Sequence, residues 1–111
     1  MKLNDEQRRR LESMSRMHKP LYHKKKGGGG PARLMGTVVG EVYIMVNEYK
    51  HVLHKIEGEF WGGDKYAYRT GYWTYAAGGQ RIVWGQYTQF LIEKEYKQLL
   101  TKARAEGWDI F

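Results

Sequence analysis

The stretch at residues 65–75, KYAYRTGYWTY, places five aromatic rings among eleven residues, with Lys65 and Arg69 between them. Rings interleaved with cations suit one kind of chemistry well. The rings stack on unpaired bases, and the cations neutralise phosphates. The same rings could instead pack as cross-strand pairs or form the core of a protein interface. Alternation along a strand separates Tyr66, Tyr68, Thr70, Tyr72 and Thr74 from Lys65, Ala67, Arg69, Gly71, Trp73 and Tyr75. The first set has no aliphatic side chain and reads as a half-wetted face, since each phenol needs a polar partner. The stretch 81–91 divides in the same way, with Ile82, Trp84, Gln86, Thr88 and Phe90 on one side. The candidate stacking residues are Tyr66, Tyr68, Tyr72 and Trp84. Lys65, Arg69 and Arg81 are the cations beside them.

Further phosphate contacts are expected from the N-terminal third. Residues 1–36 carry ten Lys/Arg and three Asp/Glu, whereas residues 37–111 carry nine of each. The whole net charge of +7 therefore lies in a basic arm joined to a neutral remainder. Such arms meet polyanions, or else serve as solubilising tails. Arg8, Arg9, Arg10, Lys24, Lys25 and Lys26 are its candidate contacts. The run KKKGGGGPA, residues 24–32, reads as a flexible hinge. A phosphate-cradling loop needs a preceding strand and a G-K-[ST] ending, and both are missing.

Catalysis finds little support. His51 and His54 in HVLH would point to opposite faces of a strand, and no cysteine joins them, so no metal site and no cofactor is expected. Neither a nucleophile elbow nor a Ser–His–Asp order is present. Zero cysteines fit a reducing, cytoplasmic setting. The charged N-terminus is unlike a signal peptide, and no apolar run approaches the roughly 20 residues of a membrane span.

The elements that would position these residues follow from periodicity. Residues 4–18 read as a helix with an Asn4–Gln7 capping box and acid-before-base pairs Asp5–Arg9, Glu6–Arg10 and Glu12–Arg16, stopped by Pro20. Its stripe of Leu11, Met14 and Met17 is thin, which predicts light docking. Val38, Val42, Ile44 and Val46 mark a first strand, and Val52, Ile56 and Phe60 a second. The strands at 65–75 and 81–91 follow, each after a glycine-bearing turn. Tyr96, Leu99, Leu100 and Ala103 give a C-terminal amphipathic helix ending at Gly107, with an apolar tail, WDIF, able to fold back. The expected fold is α+β: a four-stranded antiparallel β-meander followed by a C-terminal amphipathic helix, with an N-terminal basic helix and arm. The expected division is residues 1–33 for the arm and 34–111 for the ββββα domain.

The segments KYAYRTGYW (65–73) and RIVWGQYTQFLIEKEYKQLL (81–100) are similar to the bacterial branch of the single-stranded-DNA-binding transcriptional coactivator family, the positive cofactor four type. The likeness lies in a strand of form K-Y-x-x-R-T, a further strand, then E-x-E-[YF]-x-x-L-L. It covers about 40 residues of the chain. The resemblance implies a homodimer joined through the C-terminal helices, with single strands laid across the sheets. The reading is a non-enzymatic binder of single-stranded DNA or RNA with little sequence preference. The alternative is a protein-interaction module or small subunit of a larger (ribonucleo)protein assembly.

Overall fold

The computed structural model describes residues 2–23, 33–85 and 91–109. Helix α1 (Asp5–Ser13) is followed by strands β1 (Pro20–His23), β2 (Arg33–Val46), β3 (Tyr49–Gly58), β4 (Tyr66–Tyr75) and β5 (Ile82–Gly85), and then by helix α2 (Glu93–Ala105). The strands form one antiparallel sheet in sequence order, β1-β2-β3-β4-β5. The α+β class and the meander thus hold, with five strands instead of four. The added strand, β1, is only four residues long and pairs Pro20–His23 with Thr37–Arg33 across a bulge. Four residues are too few to show a period, so this strand left no pattern to read.

The turn into β5 falls at the glycines that predict it, whereas the β2–β3 turn falls at Asn47, within the span that alternation reads as a strand. Asn47 opens the β2–β3 turn with φ 52°, a left-handed conformation that Asn tolerates. Gly78 and Gly79, both with positive φ, turn the chain into β5, and the Ala76 amide donates to the Arg81 carbonyl across that turn.

The chain forms two compact units. The larger comprises Met1–Ser15, Val42–Leu53 and Thr70–Phe111, and the smaller Arg16–Glu41 and His54–Arg69.

In the larger unit both faces of the sheet are covered. On one side Val42, Ile44 and Leu53 pack with Leu99 and Ala103 of α2 and with Trp108. Of the tail expected to fold back, Trp108 and Asp109 lie within the described residues, and Trp108 makes the contact. Gly107, at φ 83°, reverses the chain, and the Trp108 amide donates to the Ala103 carbonyl. On the other side Leu11 of α1 packs with Val52, Trp73 and Tyr75.

Leu11 is fully buried, so α1 is a core helix and not a lightly docked arm. The expectation failed because the anchors lie outside α1. Lys50, itself buried, donates through Nζ to the Glu12 carbonyl (2.6 Å) and the Met14 carbonyl (2.5 Å). A cation on these carbonyls closes the helix C-terminus, where the dipole favours it. Tyr43 holds the same turn, donating to Glu12 Oε2 at 2.8 Å while the Lys50 ammonium sits 4.3 Å above its ring. The helix accordingly ends at Ser13, well before Pro20. The capping box is as expected: the Gln7 amide donates to Asn4 Oδ1 and the Asn4 amide to Gln7 Oε1.

The smaller unit is organised differently. Among its described residues, Val38 and Ile56 are buried aliphatics, and His54 is fully buried. The amides of Gly58 and Phe60 donate to the carbonyls of Lys65 and Asp64, closing the β3–β4 connection around Gly62 and Gly63.

Candidate nucleic-acid interface

Strand β4 carries every ring of the quoted stretch, and alternation sorts them. Along β4, Gly71, Trp73 and Tyr75 are buried, while Tyr66 and Tyr68 stand 40% and 38% exposed. The two exposed tyrosines belong to the smaller unit. The Lys55 ammonium lies 4.3 Å from the Tyr66 ring centroid, and that of Lys65 lies 5.7 Å away. Both distances fall within the reach of cation–π attraction. Lys65 also approaches Glu57 at 4.0 Å, a surface pair worth little. The smaller unit holds nine Lys/Arg against four Asp/Glu, net +5, whereas the larger holds ten against eight, net +2. Lys55 was not among the candidate residues of the sequence. Its place on one strand face with Glu57 and Glu59 was legible, but its position over Tyr66 depends on how β3 and β4 are registered.

Arg69 has a different place from the one expected. It is half-buried within a polar network of the smaller unit. Its Nε–H donates to His54 Nδ1 at 3.3 Å, and His54 Nε2 lies 2.7 Å from Glu41 Oε2. Because arginine can only donate, Nδ1 must accept, so the imidazole is neutral and its Nε2–H donates to the carboxylate. The Arg16 amide donates to the same Glu41 oxygen at 3.3 Å. Burial lowers the His54 pKa and outweighs the hydrogen bond and charge of Glu41; Arg69 and Arg16 push the same way as burial. Burial, then Arg16, also lowers that of Arg69.

Trp84 and Tyr72 do not share a face. Trp84 pairs directly with Trp73 across β4–β5 and meets it edge-on, with ring centroids 5.0 Å apart. Trp84 covers Gly71, while Tyr72 covers Gly85 from the opposite side. Tyr72 also meets Tyr49 edge-on at 5.6 Å. The four rings expected on one platform are therefore divided. Trp84 joins the cluster beneath α1, Tyr72 joins Tyr49 and His51, and Tyr66 and Tyr68 are exposed. The neighbours of Trp84 follow from the β4–β5 register, which alternation within one strand cannot supply.

Arg8, Arg9 and Arg10 are exposed on α1, and Arg81 is exposed before β5. All four belong to the larger unit. Lys24, Lys25 and Lys26 lie outside the described residues. Among the described residues no group of three or more His, Asp or Glu is placed to hold a metal ion, and no helix is long and apolar enough to cross a membrane. No protein-family model, curated protein or solved structure matches this chain.

Proposed function

We propose that this chain binds single-stranded nucleic acid, DNA or RNA, at Tyr66 and Tyr68, with Lys55 and Lys65 meeting the phosphates. The observation that carries the reading is the pair of exposed rings with two ammonium groups about one of them. Side chains two apart on one strand face are spaced by about 6.8 Å. That is about twice the 3.4 Å repeat of stacked bases, a spacing that would suit one base between two such side chains. Stacking of this kind accepts any base, which accounts for low sequence preference. Lys24, Lys25 and Lys26, which follow β1 in sequence, and Arg8, Arg9, Arg10 and Arg81 add a general positive field. The role is binding, without catalysis. Photo-crosslinking an oligonucleotide that carries 5-bromouracil at mid-strand tests it. Adducts on Tyr66 or Tyr68 are expected, and adducts confined to other residues would refute the platform.

A second reading, a protein-interaction module, is favoured by the surface of α2. Ile92 and Tyr96 are exposed there, and Ile92 lines a groove with Ile44, Met45, Lys97 and Lys102. A homodimer joined through α2 would cover this surface. Ile92→Asp would then lower the mass measured in sedimentation and leave oligonucleotide binding intact.

A further inference from the structure

A cleft of about 620 Å³ opens within the larger unit at the β2–β3 turn, lined by Lys2, Leu3, Arg8, Asn47, Glu48 and Tyr49. Its volume falls in the range of small-molecule pockets. We propose that it binds a nucleoside 5′-phosphate, either as a free nucleotide or as the phosphorylated end of a strand.

Tyr49 is the platform for the base. Its ring is 36% exposed and is held from two directions. The His51 ring stacks on it at 5.7 Å and 25°, and the Tyr72 ring meets it edge-on at 5.6 Å and 82°. The column of stacked rings therefore runs from buried His51 to Tyr49. Tyr49 is the first residue of β3, so no further strand residue continues the column, and a base would extend it. Lys2 and Arg8 are both exposed and supply two cations on the same cleft, enough to meet a phosphate dianion with charge-assisted hydrogen bonds. Asn47 and Glu48 add the polar groups that a base edge needs. Their turn is fixed, because Thr74 Oγ1 donates to the Glu48 carbonyl at 2.9 Å and Asn47 keeps its left-handed backbone. A ring held from two sides, a fixed turn and two exposed cations form a preorganised base site beside a phosphate site.

None of these residues belongs to the Tyr66–Tyr68 platform, so the two sites fail separately. The test is calorimetric titration of the full chain with adenosine 5′-monophosphate, adenosine and ribose 5-phosphate. The monophosphate should bind at least about tenfold more tightly than either fragment, because stacking and phosphate contacts both contribute. Arg8→Ala should weaken it by about fivefold or more. Tyr49→Leu should reduce it to the level of ribose 5-phosphate, and a melting curve would show that this variant is folded. Tyr66→Ala with Tyr68→Ala should leave it unchanged. Comparing oligonucleotides with a 5′-phosphate or a 5′-hydroxyl distinguishes the sources. A preference for the phosphate that Arg8→Ala abolishes identifies a strand end, and no preference identifies a free nucleotide. Undetectable binding at millimolar monophosphate, or Arg8→Ala binding as tightly as the unaltered chain, would overturn the proposal.

Discussion

The two ends of β4 use the same residue types for different purposes. In the larger unit, Trp73 and Tyr75 are buried with Leu11, Val52 and the edge-on Trp84 ring. Tyr75 satisfies its phenol by donating to the Gln7 carbonyl at 2.9 Å. In the smaller unit, Tyr66 and Tyr68 are exposed, and the Lys55 and Lys65 ammonium groups lie 4.3 and 5.7 Å from the Tyr66 ring. The interiors differ as well. Among the described residues, the larger unit has two apolar clusters, and the smaller has the His54–Glu41–Arg69 network beside buried Val38 and Ile56. Whether a ring becomes core or contact surface thus depends on whether another element brings aliphatic side chains to it. Composition alone cannot make that distinction.

Breaking the packed end should have the largest effect. Leu11→Ala empties a fully buried site and should cost about 2–5 kcal/mol, read from denaturant unfolding. A loss below about 0.5 kcal/mol would restore α1 to the status of a surface arm. Next, Gly85→Ala should destabilise by about 1–3 kcal/mol, because the new methyl group would meet the Tyr72 ring.

The polar interior of the smaller unit predicts a pH effect of about the same size or less. Burial holds His54 below its ordinary pKa, and the facing groups are Glu41, Arg69 and Arg16. His51 is lowered too, chiefly by burial and against the pull of Glu95, beside Tyr49 and Tyr72. Both rings are neutral in the fold, while the unfolded chain takes up protons near pH 6.5. The stabilisation is therefore complete above about pH 6.5 and is lost as pH falls toward the lowered values, by at most about 1.4 kcal/mol per pH unit for each ring. Melting temperature should fall between pH 7.5 and 5.5, and His54→Gln should flatten that dependence. An equal slope in this variant would remove His54 as its source. The smallest effect belongs to α2. Lys97→Ala removes an exposed pair with Glu93, 2.8 Å apart, and should cost only about 0.3–0.5 kcal/mol.

Much of the fold was legible where it depends on local spacing. The Asn4–Gln7 box, the alternation of β2 to β4, α2 and its Gly107 terminus all rest on neighbours within a few residues. The rest depended on partners distant in sequence. Lys50 and Tyr43 anchor α1 from some 30 to 40 positions away. Arg69 looked like a surface cation until His54, 15 positions earlier, was seen beside it. Of the four candidate stacking rings, two, Tyr66 and Tyr68, are exposed. The side of a ring can be read from alternation, but its neighbours depend on strand register, which requires the sheet.

The central claim is that Tyr66 and Tyr68 contact a ligand and contribute little to the fold. The most direct measurement is the affinity of the Tyr66→Ala, Tyr68→Ala double variant for a single-stranded oligonucleotide, taken with its unfolding free energy. The account predicts a loss of about 1–3 kcal/mol of binding per base unstacked, with stability changed by no more than about 0.5 kcal/mol per site. Unchanged affinity, or a loss of stability of about 3–5 kcal/mol such as follows when a buried ring is removed, would contradict it.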